Sequence, residues 1–224
     1  MTSSRWQAHG NVYLVADSDD YVMEPGLDGV MQVLDVDGDD VRVAVVNPDG
    51  SLAEMSGNGT RIAGAWLMTR TGSDVARVHV GPLTVEVTRL GENLYESDLG
   101  AITLGEPETV DGITFTPVVV GNPHAVVFDD PDRIDELGPL LETHPRFPNR
   151  TNVQVARKDG AGEVTARVWE RGVGETTASG SSAVAVAAAA IGDGETVVHF
   201  PGGDLRVRLD DGRAHLTGSA ERCA

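Results

Sequence analysis

Two stretches that resemble each other decide the fold: DGSLAEMSGNGTRIAGAW at Asp49–Trp66 and GVGETTASGSSAVAVA at Gly172–Ala187. In each, a glycine-containing turn with an acidic residue precedes a Ser-Gly pair, and a run of small residues typical of a buried helix follows. The pairs Ser56-Gly57 and Ser179-Gly180 are separated by a little over half the chain, far more than the period of a solenoid repeat. This repeat predicts two related halves that face each other.

The rest of the chain consists mainly of short alternating or β-branched runs, punctuated by the Gly, Asp and Asn residues that hairpin turns require. We predict strands at Val41–Asn47, Val75–Val80, Leu83–Arg89, Ile113–Val120, Ala125–Phe128, Asn152–Ala156, Val164–Glu170, Thr196–Phe200, Leu205–Leu209 and Ala214–Thr217. We predict helices at Gly59–Thr69, Asp132–Glu142 and Gly180–Ile191, the second broken by Gly138-Pro139. Long runs of strands with few helices indicate the α+β class.

The repeat also predicts the domain organisation. We place the boundary near Phe115–Val120, which gives an N-terminal half at 1–117 and a C-terminal half at 118–218. The tail at 219–224 is expected to join the first half.

Composition narrows the function. The 35 acidic against 17 basic residues give a net charge of −18, which argues against nucleic acid or an anionic membrane as partner. No apolar run approaches the roughly 18 residues of a membrane span, and the N-terminus lacks the layout of a signal peptide. We therefore expect a cytoplasmic protein with a small-molecule partner.

Two residue counts bear on cofactors. The one cysteine, Cys223, excludes an intramolecular disulfide and multi-thiolate metal sites. The one lysine, Lys158, falls in a turn-like stretch, Arg157–Gly160, where a hairpin would expose it, which argues against pyridoxal phosphate. We expect no metal and no cofactor.

The Ser-Gly pairs suggest a chemistry. A glycine-rich turn at the start of a helix presents free amides and the positive end of the helix dipole to an anion such as a carboxylate. Two such turns on opposite sides of one carbon would suit a racemase, in which one group removes a proton and the other returns it. The alternative is structural, because serine is among the best N-cap residues and a cap needs no catalytic explanation.

Several further segments occur in a fixed order. They are Asn47–Gly50, Met55–Arg61, Gly121–His124, Phe147–Val153 and Glu170–Thr176, with His9–Asn11 near the start and Leu216–Gly218 near the end. Together they resemble the diaminopimelate epimerase family, the cofactor-independent isomerases of lysine and cell-wall precursor synthesis. The resemblance covers nearly the whole chain.

The resemblance implies a fold and a set of site residues. The fold is two pseudo-symmetric halves, each a curved, mostly antiparallel sheet around a central helix, with the site in the cleft between them. Arg171 would bind the distal carboxylate of the substrate and Glu170 its distal ammonium, while His124 and Glu175 would lie near the reacting centre. The implied substrate-binding residues are Asn11, Asn47, Gly57, Asn58, Asn122, Asn152, Glu170, Arg171, Gly180 and Ser181.

These residues also have ordinary structural interpretations. Asn47 and Asn122 stand next to prolines and suit turns. Glu170 and Arg171 could form an exposed ion pair of little energetic value.

The sequence departs from the family at the acid/base positions. Ser56 and Ser179 stand where the family has catalytic cysteines, and Ile62, Ala125 and Val184 stand where members often carry additional ones. The segment between Asn11 and Gly26 is short, so a helix that the family places there is expected to be missing.

The serine substitution changes the chemistry. A thiol has a pKa near 8.5 and an alcohol one close to that of water, about 15.7. The gap of roughly 7 units is about 10 kcal/mol, whereas a helix terminus contributes at most about 2 kcal/mol. This excludes the two-thiol route and requires a relay through a base such as His124 or Glu175. The serines are native in a lineage that lost these cysteines, engineered to trap a substrate, or the mark of a non-catalytic binder, and the wider cysteine loss favours the first.

The sequence thus predicts an isomerase that resembles diaminopimelate epimerase, inverting the α-carbon of LL- or meso-diaminopimelate with activity altered by the serines. One alternative is an amino-acid-binding pseudoenzyme without turnover. The other is an isomerase of the phenazine-biosynthesis type that uses Glu175 and His124. A homodimer is the commonest assembly of soluble proteins, and the sequence leaves the oligomeric state open.

Overall fold

The computed structural model describes residues 3–18, 21–53 and 56–223, and the chain divides into two compact units. Unit 1 comprises Met1–Leu99 and Thr217–Ala224, and unit 2 comprises Gly100–Leu216. The predicted α+β class is confirmed, because strands dominate both units and helices are few. Among the described residues, no helix has the length and apolar character needed to cross a membrane.

Strands and helices are each numbered in chain order. The strands are β1 (Ser4–Ala8), β2 (Asn11–Ala16), β3 (Gly29–Asp37), β4 (Asp40–Val46), β5 (Leu52–Ala53), β6 (Val75–Val80), β7 (Leu83–Gly91), β8 (Leu94–Ala101), β9 (Thr103–Leu104), β10 (Glu108–Val110), β11 (Ile113–Val119), β12 (Pro123–Phe128), β13 (Asn152–Gly160), β14 (Glu163–Glu170), β15 (Gly174–Thr176), β16 (Gly194–Phe200), β17 (Gly203–Asp210), β18 (Arg213–Ser219) and β19 (Glu221–Arg222). The helices are α1 (Gly57–Thr71), α2 (Ile134–Glu142) and α3 (Gly180–Ile191), and a 3₁₀ turn at Pro131–Arg133 leads into α2.

The two units repeat one strand topology. In unit 1, β1 pairs antiparallel with β2, β2 parallel with β3, β3 antiparallel with β4, β4 parallel with β6, and β6 antiparallel with β7. In unit 2, β11 to β14, β16 and β17 repeat these pairings with the same directions. The short strands β19 and β9 add to the equivalent strands β1 and β11. The repeat seen in the sequence therefore extends to the topology of each sheet.

One helix packs against each sheet at the equivalent place. Helix α1 follows β5 and contacts β1, β2, β4, β6 and β7, and α3 follows β15 and contacts β11 to β14, β16 and β17. Small residues allow this close packing: a Cβ added at Gly64 would lie 2.8 Å from the Val87 Cβ. The residues Ala183–Ala188 of α3 are all buried. Each helix is the centre of its unit, as predicted.

The units differ in what covers the other face of the sheet. In unit 2, α2 lies between β12 and β13 and covers it with Ile134, Leu137 and Leu141. Between β2 and β3, the described residues 17–18 and 21–28 contain no helix, so the helix expected to be missing is indeed missing from this part of the structure. There, Leu27 packs with apolar side chains of β2, β3 and β4 instead.

Three local predictions were wrong. Helix α2 is continuous through Gly138-Pro139, because the burial of Leu137 and Leu141 against the sheet offsets the hydrogen bond that proline cannot donate. The turn expected at Arg157–Gly160 is part of strand β13, which pairs with β14 as far as Gly160. The structure also contains strands that were not predicted: β1, β2, β3, β5, β8, β9, β10, β15 and β19.

Candidate active site

The start of α1 is built around the hydroxyl of Ser56. Ser56 is the N-cap residue (φ −140°, ψ 115°), and its Oγ accepts a hydrogen bond from the amide of Gly59 over 3.0 Å. The same Oγ lies 3.1 Å from the phenolic oxygen of Tyr13 on β2. The structural interpretation of Ser56 as a cap is therefore correct. Its hydroxyl also contacts a titratable group, the phenol of Tyr13.

The buried Asn58 and the partly exposed Asn11 form a chain of hydrogen bonds behind this turn. Asn58 Nδ2 donates to Asn11 Oδ1 over 2.6 Å, and Asn58 Oδ1 accepts from Arg61 Nη2 over 2.7 Å. Arg61 Nε donates to the carbonyl of Ser219, and within the described residues Arg61 Nη1 has no hydrogen-bond partner. Burial lowers the pKa of Arg61 to about 10. The buried Arg61 guanidinium thus holds the Asn58 side chain directly, and Asn58 in turn holds Asn11.

Asn47 lies in a tight turn. Its Nδ2 donates to Ser51 Oγ over 3.0 Å, and its backbone amide donates to the Ser51 carbonyl over 2.8 Å. Asp49 accepts from the hydroxyl and the amide of Ser51, and these hydrogen bonds lower the pKa of Asp49. The structure therefore uses the Asn47 side chain in the turn that leads toward α1.

The backbone at the start of α3 resembles that at the start of α1, but the hydrogen bond from a helix amide to the N-cap side chain is missing. Ser179 is the N-cap residue with φ −143° and ψ 129°, within a few degrees of Ser56 in φ, but its side chain makes no hydrogen bond to the helix amides. Gly180 is the first helical residue and is buried, while Ser181 is partly exposed. The dihedral angles thus match at the two Ser-Gly pairs, and the hydroxyl environments differ.

His124 is buried in a hydrogen-bonded network that joins β12, β13 and α3. Its Nδ1 lies 3.0 Å from Gln154 Nε2 and its Nε2 lies 2.8 Å from Asn122 Oδ1. Gln154 Nε2 also donates to Ser182 Oγ over 3.0 Å. Burial lowers the pKa of His124 to about 3, against the smaller opposing effect of the Gln154 hydrogen bond. His124 is therefore a neutral imidazole at physiological pH.

Asn152 holds the end of β14. Its Nδ2 donates to the carbonyl of Pro123, and its Oδ1 accepts from the backbone amide of Arg171 over 3.0 Å. Next to Arg171, the carboxylate of Glu170 accepts a hydrogen bond from the hydroxyl of Thr176. The structure thus brings Asn152, Glu170 and Arg171 together.

Glu175 lies on the other face of this sheet. It pairs across the strands with Trp169, whose side chain packs against Gly138 of α2. Arg167 binds its carboxylate with two hydrogen bonds, of 2.6 and 2.8 Å. His124 and Gln154 belong to the face that contacts α3. The structure therefore does not bring Glu175 to the other predicted residues of unit 2.

Glu142, at the end of α2, is a buried residue that the sequence did not single out. Its carboxylate accepts hydrogen bonds from Trp169 Nε1 (2.7 Å) and from the amide of Gly172 (2.8 Å), with Arg150 beside it. Burial raises the pKa of Glu142, but these hydrogen bonds and Arg150 outweigh it, so the pKa lies below its usual value. Glu142 fixes the turn that follows Glu170 and Arg171.

Gln154 and Tyr13 were also missed, and only the first left a signal in the sequence. Gln154 interrupts a run of valines in a predicted strand, and a polar residue at such a position indicates that its side chain forms hydrogen bonds in the interior. Tyr13 belongs to a strand that was not predicted. For metals, the described residues contain no group of three or more His, Cys, Asp or Glu side chains that could hold an ion.

Sequence relatives decide the family. The family model described as diaminopimelate epimerase matches residues 116–223. A diaminopimelate epimerase from Desulfitobacterium hafniense is 36% identical in an alignment that covers 87% of this chain and 80% of the relative. The chain belongs to the diaminopimelate epimerase family. It is accordingly an isomerase.

Solved structures show the same fold at lower identity. A predicted epimerase from Pseudomonas aeruginosa superposes with a TM-score of 0.76 at 19% identity, covering 99% of this chain and 96% of the other. A member of the phenazine biosynthesis protein family from Enterococcus faecalis gives a TM-score of 0.70 at 13% identity, covering 100% and 98%. The fold is therefore common to epimerases and phenazine-type proteins and does not separate them.

Proposed function

We propose that this isomerase inverts the α-carbon of diaminopimelate without a cofactor, in lysine and peptidoglycan precursor synthesis in the cytoplasm. Ser56 and Ser179 would occupy the two acid/base positions, where the family resemblance places cysteines. The observation that carries the proposal is the similar start of α1 and α3, where a Ser N-cap in extended conformation (φ −140° and −143°, ψ 115° and 129°) precedes a buried glycine. The 36% identity to a named diaminopimelate epimerase supports the same reaction.

The proposed binding roles divide between the ends of the substrate. The amides at the start of the helices, at Gly57 and Gly180, suit a carboxylate, because the first amides of a helix have no partner within it. Glu170 and Arg171 suit the distal ammonium and carboxylate. The hydrogen bond from the Arg171 amide to Asn152 supports this role by fixing the backbone that carries both.

His124 and Glu175 are poor acid/base groups in this structure. A pKa of about 3 makes the His124 imidazole a weak base. The Glu175 carboxylate is paired with Arg167. Both observations weigh against the phenazine-type alternative, which requires these two groups to carry protons.

A binder without turnover is the second candidate. It is favoured by the chemistry of the two turns, because both carry a serine where the family resemblance places a cysteine. An alcohol with a pKa near that of water, about 15.7, is a much weaker acid than a thiol. Such a protein would keep the carboxylate-binding turns and lose isomerisation.

Exchange of the substrate α-proton in D₂O, followed by NMR, tests the proposal. We expect slow exchange with diaminopimelate that is lost in Ser56→Ala and in Ser179→Ala and retained in Ser73→Ala, a control outside the helix starts. Saturable binding by calorimetry with no exchange at high enzyme concentration would establish the binder instead. Exchange that survives both helix-start variants but is lost in Glu175→Gln would establish the phenazine-type reaction.

A further inference from the structure

We propose that Tyr13 is the proton partner of Ser56: its phenol supplies and takes back the proton that Ser56 passes to the substrate. This inference rests on the proposed function and deepens it. Tyr13 would act through Ser56 and not touch the substrate, so it is a positioning and relay residue. No motif in the sequence assigned it a role.

The contact itself is the first observation. The phenolic oxygen of Tyr13 lies 3.1 Å from Ser56 Oγ, within hydrogen-bonding distance. The amide of Gly59 donates to the same Oγ, which leaves the Ser56 hydroxyl proton free to point elsewhere. A chain from the phenol through the serine hydroxyl is therefore sterically available at the start of α1.

The position of the phenol is built into unit 1. Tyr13 is buried in the core cluster beneath α1. A Cβ added at Gly29, its partner across β2 and β3, would lie 2.8 Å from Tyr13 Cε1. Only glycine at that position leaves room for the ring, so the strand pair fixes where the phenolic oxygen lies.

The internal repeat supplies an independent observation. Tyr13 pairs with the first residue of β3 in the parallel pair β2–β3, and His124 pairs with the first residue of β13 in the equivalent pair β12–β13. In each unit, this position therefore holds a ring with a polar atom. The His124 ring connects to α3 through Gln154 and Ser182, whereas the Tyr13 ring contacts the N-cap hydroxyl directly.

The phenol provides what the serine lacks. A tyrosine has a reference pKa of about 10, against about 15.7 for water, the nearest model of an alcohol. When a proton is returned, the Tyr13 O–H bond breaks and its proton passes to Ser56 Oγ. The Ser56 O–H bond breaks in turn, and its proton joins the carbanion electron pair to form the new C–H bond. The negative charge rests on the phenolate oxygen, and proton removal runs these transfers in reverse.

The test is a double-mutant cycle on the full chain, with α-proton exchange of diaminopimelate as readout. We expect Tyr13→Phe to lower the exchange rate by about 100-fold or more with Ser56 present, and by less than about tenfold in Ser56→Cys, because a thiol can exchange its proton without the phenol. Binding of diaminopimelate by calorimetry should change by less than about threefold, since the phenol does not touch the substrate. Tyr95→Phe, a buried tyrosine elsewhere in unit 1, is the matched control.

Each outcome of this experiment supports or overturns the relay. An unchanged rate in Tyr13→Phe overturns the relay. An equal fold-loss with Ser56 present and in the Ser56→Cys variant also overturns it, and indicates a structural role for the ring. No exchange in either background overturns the proposed function and the relay with it. If Tyr13→Phe fails to fold, difluorotyrosine at position 13 keeps the ring and hydroxyl while making the phenol more acidic. A several-fold change in the exchange rate that occurs with Ser56 present and not in the Ser56→Cys variant supports the relay. No change with Ser56 present overturns it.

Discussion

Gln154 donates a hydrogen bond from Nε2 to Nδ1 of His124 over 3.0 Å, and so fixes which nitrogen of the imidazole carries the proton. With Nδ1 as the acceptor, the proton is on Nε2, which donates to Asn122 Oδ1 over 2.8 Å. The residue that the family resemblance places near the reacting centre is thus held as one neutral tautomer. Its environment has consequences for stability as well as for chemistry.

The first prediction concerns acid stability. The pKa of His124 is about 3 in the folded protein and near 6.5 without burial, so the unfolded chain binds the extra proton as pH falls below 6.5. The free energy of unfolding should therefore decrease by about 1.4 kcal/mol per pH unit between about pH 6 and 4 from this residue alone. Urea unfolding at several pH values measures it. His124→Asn should have a flatter profile, and an identical slope in both proteins would contradict the buried neutral imidazole.

The second prediction concerns the two N-caps. Because Ser56 Oγ accepts from the Gly59 amide and the Ser179 side chain makes no such bond, the two alanine variants should differ. Ser56→Ala should lower the free energy of unfolding by about 1 kcal/mol, and Ser179→Ala by less than about 0.5 kcal/mol. Denaturant unfolding of both variants provides the comparison. Equal losses would show that the caps are equivalent in solution.

The third prediction concerns the packing of α1. Alanine normally favours a helix over glycine by about 1 kcal/mol, yet a Cβ at Gly64 would lie 2.8 Å from that of Val87. Gly64→Ala should therefore destabilise the protein by about 1–3 kcal/mol. Adding Val87→Gly should make the Gly64→Ala change less costly, since it removes the Cβ and both Cγ atoms that would lie 2.8–3.0 Å away. A stabilising Gly64→Ala in thermal unfolding is the result that this packing forbids.

The fourth prediction concerns Glu142 and the turn after Arg171. Glu142→Leu removes the acceptor of Trp169 Nε1 and the Gly172 amide. Trp169 is only partly buried and Gly172 is exposed, so the two lost hydrogen bonds together should cost about 1–3 kcal/mol, the penalty of one fully buried donor without a partner. We expect a stability loss in that range, with a change in Trp169 fluorescence. Glu136→Leu, on the same helix but exposed, is the control. Equal small effects in both variants would mean that Glu142 does not hold the turn.

The sequence predicted the elements whose pattern is regular. Val75–Val80 and Gly180–Ile191 were predicted to the residue, because an alternating strand and a run of small apolar residues each give a clear period. Strand β3 was not predicted, because its buried residues are consecutive at one end and its exposed residues at the other, with no alternation. The continuous helix through Pro139 depends on tertiary packing that no local pattern contains.

The candidate site also contains some features that the sequence predicts and others that only the folded structure shows. Ser-Gly pairs at helix starts are visible in the sequence, and both helices do start there with matched dihedral angles. The face on which Glu175 lies could not be predicted, because β15 was not predicted and its register decides that face. The contact between Tyr13 and Ser56 joins residues 43 positions apart, which only the folded sheet brings together. The halves at 1–117 and 118–218, the site roles and the homodimer stay predictions.

The most direct measurement of the central claim is the interconversion of LL- and meso-diaminopimelate by the protein and by Ser56→Cys/Ser179→Cys, followed by chiral chromatography. We expect slow conversion by the protein as it stands and a rate at least about 100-fold higher in the double variant, because thiols lower the barrier to proton transfer at both positions. The account is contradicted if the protein and the double variant are folded and bind diaminopimelate, yet neither converts it.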